Sequence, residues 1–200
     1  MKKTAVVAII VAMCISAPLS SSAKEWLKFD TQGHSKAKGL WLTVKYPNGW
    51  KSAEGDRPNI VRKFLSFSSA TSIQKMLMLQ VRSLPDGSSL EADTLSDGEW
   101  IELGKEILPQ NSIIRNIKKI QHEKQNGVIS QCLARESRAG LNFYSESEMM
   151  TIFYKDRMVM LACMTTGPEN NLDAIISLHS KETHNVCLRF FNSLVFMDRY

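Results

Sequence analysis

"NFYSESEMMTIFYKDRMVMLACMT", residues 142–165, decides the architecture. Its aromatic, β-branched and methionine-rich runs flank Lys155-Asp156-Arg157 and read as two strands joined by a tight turn. Successive side chains of a strand point to opposite faces. Met149 and Phe153 therefore leave one side, while Met150, Ile152 and Tyr154 leave the other. A sheet that is apolar on both faces needs cover on both, and helices on either side supply it.

Upstream, residues 112–123 and 128–136 continue the strand pattern. Gln125-Asn126-Gly127 between them is a hairpin signal, because Asn-Gly tolerates the positive backbone angles of a tight turn. Arg138-Ala139-Gly140 makes the next joint, so the four strands form an antiparallel meander. Earlier, Leu40, Leu42 and Val44 alternate with Trp41, Thr43 and Lys45, and further strands fall at 59–67 and 74–82. Ser96 and Glu99 have capping-box spacing, and Trp100, Leu103 and Ile107 recur at helical intervals until Pro109. A last helix starts near Asn171 and carries Leu172, Ile175, Ile176, His179, Val186, Cys187 and Phe190 as a stripe, with a break near Glu182. The expected class is α+β: a central antiparallel sheet of six to seven strands in an α/β/α sandwich.

At the start of the chain, Lys2 and Lys3 precede an apolar run over 5–15 and a small, polar stretch that includes Ser21 and Ala23. This pattern reads as a secretory signal at 1–23, with Lys24 as the mature start, and implies a periplasmic or secreted protein. Residues 24–38 lack a sustained period and are expected as a flexible arm, ahead of a single domain at 39–200. No later segment approaches the ~20 apolar residues that span a bilayer. Removing 23 of the 200 residues leaves 177, enough for one well-filled core. Loss of Lys2 and Lys3 takes the formal charge from +5 to +3, so only local clustering of cations would create a strong field.

Cys14 leaves with the signal, and Cys132, Cys163 and Cys187 remain. Three thiols allow one bridge in an oxidising compartment. A Cys163–Cys187 pairing would be worth about 3–4 kcal/mol in the chain-entropy model, although spacing leaves the connectivity open.

The chain lacks Gly-x-Ser-x-Gly, His-Glu-x-x-His, a phosphate-cradling glycine loop and Cys-x-x-Cys. That points away from catalysis, and no catalytic residue is assigned. His184 and Cys187, three apart on a helix with His179 just before them, are zinc-type donors. The preferred reading places His179 and Cys187 in the buried stripe with His184 on the surface, so neither a metal nor a cofactor is assigned. Met76 with Met78, and Met158 with Met160, have same-side strand spacing that suits thioether copper ligands. Adaptable core filling explains them more simply.

The cations carry the functional expectation. Arg115, Lys118, Lys119 and Lys124 lie within ten residues, and Arg62 and Lys63 lie on an earlier strand. If folding brings them together they would bind an anion, whereas on a sheet edge they would merely oppose aggregation. Alternation already divides Lys118 from Lys119 across the sheet. Aromatics are too sparse beside them for a stacking platform, so nucleic acid is not an expected partner.

"LTVKYPNGW", residues 42–50, resembles the first strand and Pro-x-x-Trp turn of PsbP-like domains. "RFFNSLVF", residues 189–196, is similar to their closing helix and exit strand. The resemblance implies a central antiparallel sheet between helices. It carries no catalytic set, and it implies binding of proteins, small ligands or metals.

The resulting expectation is an exported, non-catalytic binding module that recognises a phosphorylated lipid headgroup or an acidic protein surface. The alternative is an envelope protein-interaction or assembly factor, with a metal-binding protein or hydrolase behind it. Oligomeric state is left open.

Overall fold

A computed structural model of the chain describes residues 25–200. The signal at 1–23, Cys14 and Lys24 lie outside the described residues. Ten strands and four α-helices follow in order. β1 (Trp26–Asp30), β2 (Leu42–Pro47), β3 (Lys51–Glu54), β4 (Ile60–Ser68) and β5 (Ile73–Ser83) precede α1 (Ser88–Thr94) and α2 (Asp97–Glu106). β6 (Ile113–His122), β7 (Gln125–Arg138), β8 (Leu141–Tyr154) and β9 (Arg157–Pro168) form the meander. α3 (Leu172–Leu178), a π-helical turn (His179–Thr183), α4 (His184–Asn192) and β10 (Val195–Phe196) close the chain.

Seven strands form one antiparallel sheet in the order β3-β4-β5-β9-β8-β7-β6, and β1-β2-β10 form a second, small sheet. The alternation read from residues 149–154 sorts the core. Met150, Ile152 and Tyr154 join Phe64, Leu77, Leu79, Leu161, Phe190 and Phe196 beneath α4 and the small sheet. Met149 instead packs with Met158, Met160 and Ala162 on the other face, where Phe153 meets the buried Trp100 of α2 edge-on. We call these the inner and outer faces. Inner cover reaches across the sheet, but α1 and α2 pack over the β6–β7–β8 half of the outer face.

Three expectations need correction. Within the expected arm at 24–38, the described residues 25–38 are not loose: β1 pairs in register with β2 from Trp26↔Pro47 to Asp30↔Thr43. Thr31 then locks the following loop, donating to the Leu40 carbonyl at 3.0 Å and accepting from the Leu42 N–H at 2.7 Å. The hairpin between β6 and β7 turns at Glu123-Lys124, both with positive φ, and Asn126 and Gly127 are already paired in β7. Gly127 serves closeness instead, since a Cβ there would stand 2.4 Å from the Thr151 carbonyl oxygen of β8. Cys132, Cys163 and Cys187 are all free and buried, so Cys163 and Cys187 are not bridged. Each would be hard to ionise, because burial pushes their thiols up, Cys163 furthest.

Candidate functional site

The six cations expected to converge do not. β4 and β6 are separated by β5, β9, β8 and β7, about 24 Å at ~4.8 Å per strand spacing. Arg62 stacks its guanidinium over Phe29 at 5.0 Å on the inner face, and its buried Nε has no hydrogen-bond partner among the described residues. Lys63, the next residue, points outward and pairs with Asp56 at 2.7 Å. Arg115 faces Glu146 at 3.7 Å, and Lys119 pairs with Asp97 of α2 at 2.8 Å. Lys118 is exposed opposite Ile129, and Lys124 sits in the hairpin turn beside a small hollow with Glu123, Arg199 and Tyr200.

Of these residues, Lys63 lines a sizeable concavity. The uncovered half of the outer face, over β4, β5 and β9, holds an open trough of about 500 Å³. Met76, Met78 and Met164 floor it, Gln74 and Gln80 lie along it, and Arg57, Lys63 and Arg82 supply charge against a single acid, Asp56. It continues past Met76 and Met164 into a hollow of about 230 Å³ bounded by Phe143, Ser145 and Glu136. The methionine pair 76/78 is thus a floor of this trough, with Met76 directly across from Met164, whereas Met158 and Met160 are core.

A second constellation lies on the inner face, between β8, β9 and the last helix. Glu148 is in phase with Met150 and Ile152 and so points into the protein, where it is 3% exposed. Its Oε1 meets His179 Nε2 at 3.1 Å and His184 Nδ1 at 2.6 Å. Cys187 Sγ completes a group with Glu148 and His179 whose ligand atoms all lie within 4.8 Å of one another. The π-helical turn assembles it. Its widened bond, from the His184 N–H to the His179 carbonyl, lets His179, Thr183, His184 and Cys187 share the side that faces the sheet.

Behind His179, Thr165 Oγ1 stands 3.0 Å from Nδ1 and donates its own proton to Thr183 Oγ1 at 2.9 Å. Burial pushes the Glu148 carboxyl up. Hydrogen bonds from His179, His184 and Gln131 more than offset this and hold it below the ordinary carboxylate range. Glu146 goes the other way: burial raises it, the Arg115 charge does not fully restore it, and its Oε2 lacks a hydrogen bond among the described residues.

Burial bears out the reading of His179 and Cys187 as stripe residues, whereas His184, read as a surface residue, is partly buried and turned onto Glu148. Glu148 was missed. The signal available was an acid in phase with Met150, Ile152 and Tyr154, which places a carboxylate on a buried face.

No family model and no curated protein matches the chain. Among solved structures, the solution structure of cyanobacterial PsbP (CyanoP) from Synechocystis sp. PCC 6803 is similar, with a TM-score of 0.51 at 10% identity over 91% of this chain and 98% of that one. LpqN of Mycobacterium tuberculosis, described as involved in cell envelope biogenesis, aligns at a TM-score of 0.43 and 8% identity over 86% of this chain and 91% of its own. The seven-stranded antiparallel sheet with its flanking helices is a PsbP-like fold.

Proposed function

We propose that the protein is an exported, non-catalytic binding module that takes a phosphorylated lipid headgroup in the outer-face trough. The observation that carries this reading is the pairing, in one open concavity, of Arg57, Lys63 and Arg82 with a floor of Met76, Met78 and Met164. Methionine side chains adapt to acyl or glycerol surface of irregular shape. Arginine forks suit phosphate oxygens. Asp56 pairs with Lys63, so the three cations leave a net charge of two, and near an anionic membrane this contributes about 2 kcal/mol, which alone gives affinity weaker than millimolar. Apolar contact along the trough therefore has to supply the rest, as its methionine floor allows.

Vesicle co-sedimentation tests this. Binding to phosphatidylglycerol vesicles should exceed binding to phosphatidylcholine vesicles, weaken as salt rises, and fall at least tenfold in a Lys63→Glu/Arg82→Glu variant. Equal binding to both vesicles, or binding indifferent to the double substitution, overturns the reading. Lys118→Glu/Lys124→Glu, remote from the trough, serves as the charge-matched control and should change binding less.

A further inference from the structure

We propose that Glu148, His179, His184 and Cys187 form a tetrahedral binding site for Zn²⁺. This site is on the opposite face of the sheet from the trough and does not depend on it.

Four observations converge on it. First, the donor set is one carboxylate, two imidazoles and one thiol, the mixture that zinc accepts and that magnesium and calcium do not. Second, the distances among three of the four donors fit. Metal–ligand bonds of about 2.0–2.3 Å place tetrahedral donors roughly 3.3–3.8 Å apart. The Glu148, His179 and Cys187 atoms lie within 4.8 Å of one another, and His184 Nδ1 is 2.6 Å from the same carboxylate oxygen. A small contraction on Cys187 brings those three to that geometry, whereas His184 lies outside the group and its ring has to swing toward His179 and Cys187 to become the fourth ligand.

Third, the outer shell is already built. Thr165 spends its hydroxyl proton on Thr183, so it accepts from His179 Nδ1–H. That hydrogen bond fixes the tautomer whose Nε2 lone pair faces Glu148, which is how metal-binding histidines are held. A lone pair and a carboxylate oxygen cannot rest unaided at 3.1 Å, so a proton, the hydrogen bond from His179 to Glu148, holds that gap until a metal cation takes its place. Fourth, there is a way in. Glu148, His179 and Cys187 are buried, but His184 is 40% exposed and stands with Ser180 and Gln131 at the wall of a shallow cleft that opens onto the group. Zinc binds Cys187 as the thiolate, and the thiol proton leaves to solvent together with the protons by which His179 Nε2 and His184 Nδ1 bond Glu148.

Cobalt is the probe, titrated into the untagged chain from Lys24 with a non-thiol reductant that keeps Cys163 and Cys187 free. Expected are the intense visible bands of tetrahedral Co²⁺ and a thiolate-to-cobalt charge-transfer band, both abolished by one equivalent of Zn²⁺. Cys187→Ser, which keeps the volume, should lose the charge-transfer band. His184→Asn, at the surface, should keep that band and weaken cobalt at least tenfold. Thr165→Val, which touches no metal, should weaken it about 10–100-fold. Zinc should raise the Tm of the native chain and not that of Cys187→Ser, a reading that holds even where a variant is itself less stable. Absence of visible bands overturns the site, as does a spectrum without charge transfer. Affinity unchanged in both His184→Asn and Cys187→Ser marks an adventitious ion and overturns it equally.

Discussion

At Cys163 and Cys187 the chemistry follows from place. The two thiols lie against each other in the inner core, and burial pushes both above the ordinary thiol pKa, as it does at Cys132. Reaction with a thiol reagent needs the thiolate and access, and the folded chain withholds both. In the chain from Lys24, a disulfide reagent near neutral pH should label three thiols in denaturant and label them far more slowly in the native state. A count of one in denaturant would mean that Cys163 and Cys187 bridge after all. The sequence offered Cys163–Cys187 as a candidate bridge and the two are neighbours but free, because thiol count carries no information about oxidation. Glu148 shows the converse limit, since its partners lie 31 and 36 residues away and only the packing of the last helix on β8 and β9 makes them neighbours.

Among the elements, α2 is the one whose placement hangs on a single atom. A Cβ at Gly104 would come within 2.5 Å of Ile117 Cγ2 and 2.9 Å of Val128 Cγ2, while the Gly104 carbonyl accepts a hydrogen bond from Ser130 at 3.1 Å. The helix backbone thus lies directly on β6 and β7. Gly104→Ala should cost about 2 kcal/mol through overpacking and lower Tm by roughly 4–8 °C. Gly98→Ala, in the same helix with only Ser96 Oγ at 4.0 Å, should be neutral or slightly stabilising, and thermal melts of the pair check this. An equal loss in both would mean that helix docking is not what Gly104 provides. The start of α2 was legible, because the Ser96/Glu99 capping box is local and forms as read. The β6–β7 turn was not, because Asn126-Gly127 has turn chemistry but β8 claims Gly127 for close approach.

For the molecule as a whole, the uneven cover of the outer face matters most. α1 and α2 protect Trp100, Val128 and Phe153 at one end, and the β4–β5–β9 end remains a trough. If the export signal read at 1–23 operates, the intact mass of protein recovered from the periplasm of a producing bacterium should correspond to a chain that starts at Lys24. Recovery of the full 200 residues from that fraction would remove the basis for the localisation.

Strand period, helix caps and the two-sided apolar pattern of residues 149–154 belong to the sequence alone. They express interactions between near neighbours, and they sufficed for an antiparallel sheet flanked by helices. Which cations meet, which acid lies under the last helix and which half of a face stays bare were decided only by tertiary structure. Strand order and helix docking set these, and they depend on contacts between residues far apart in the chain. The same strand alternation that revealed the fold therefore could not reveal that Arg62 and Arg115 stand five strand spacings apart.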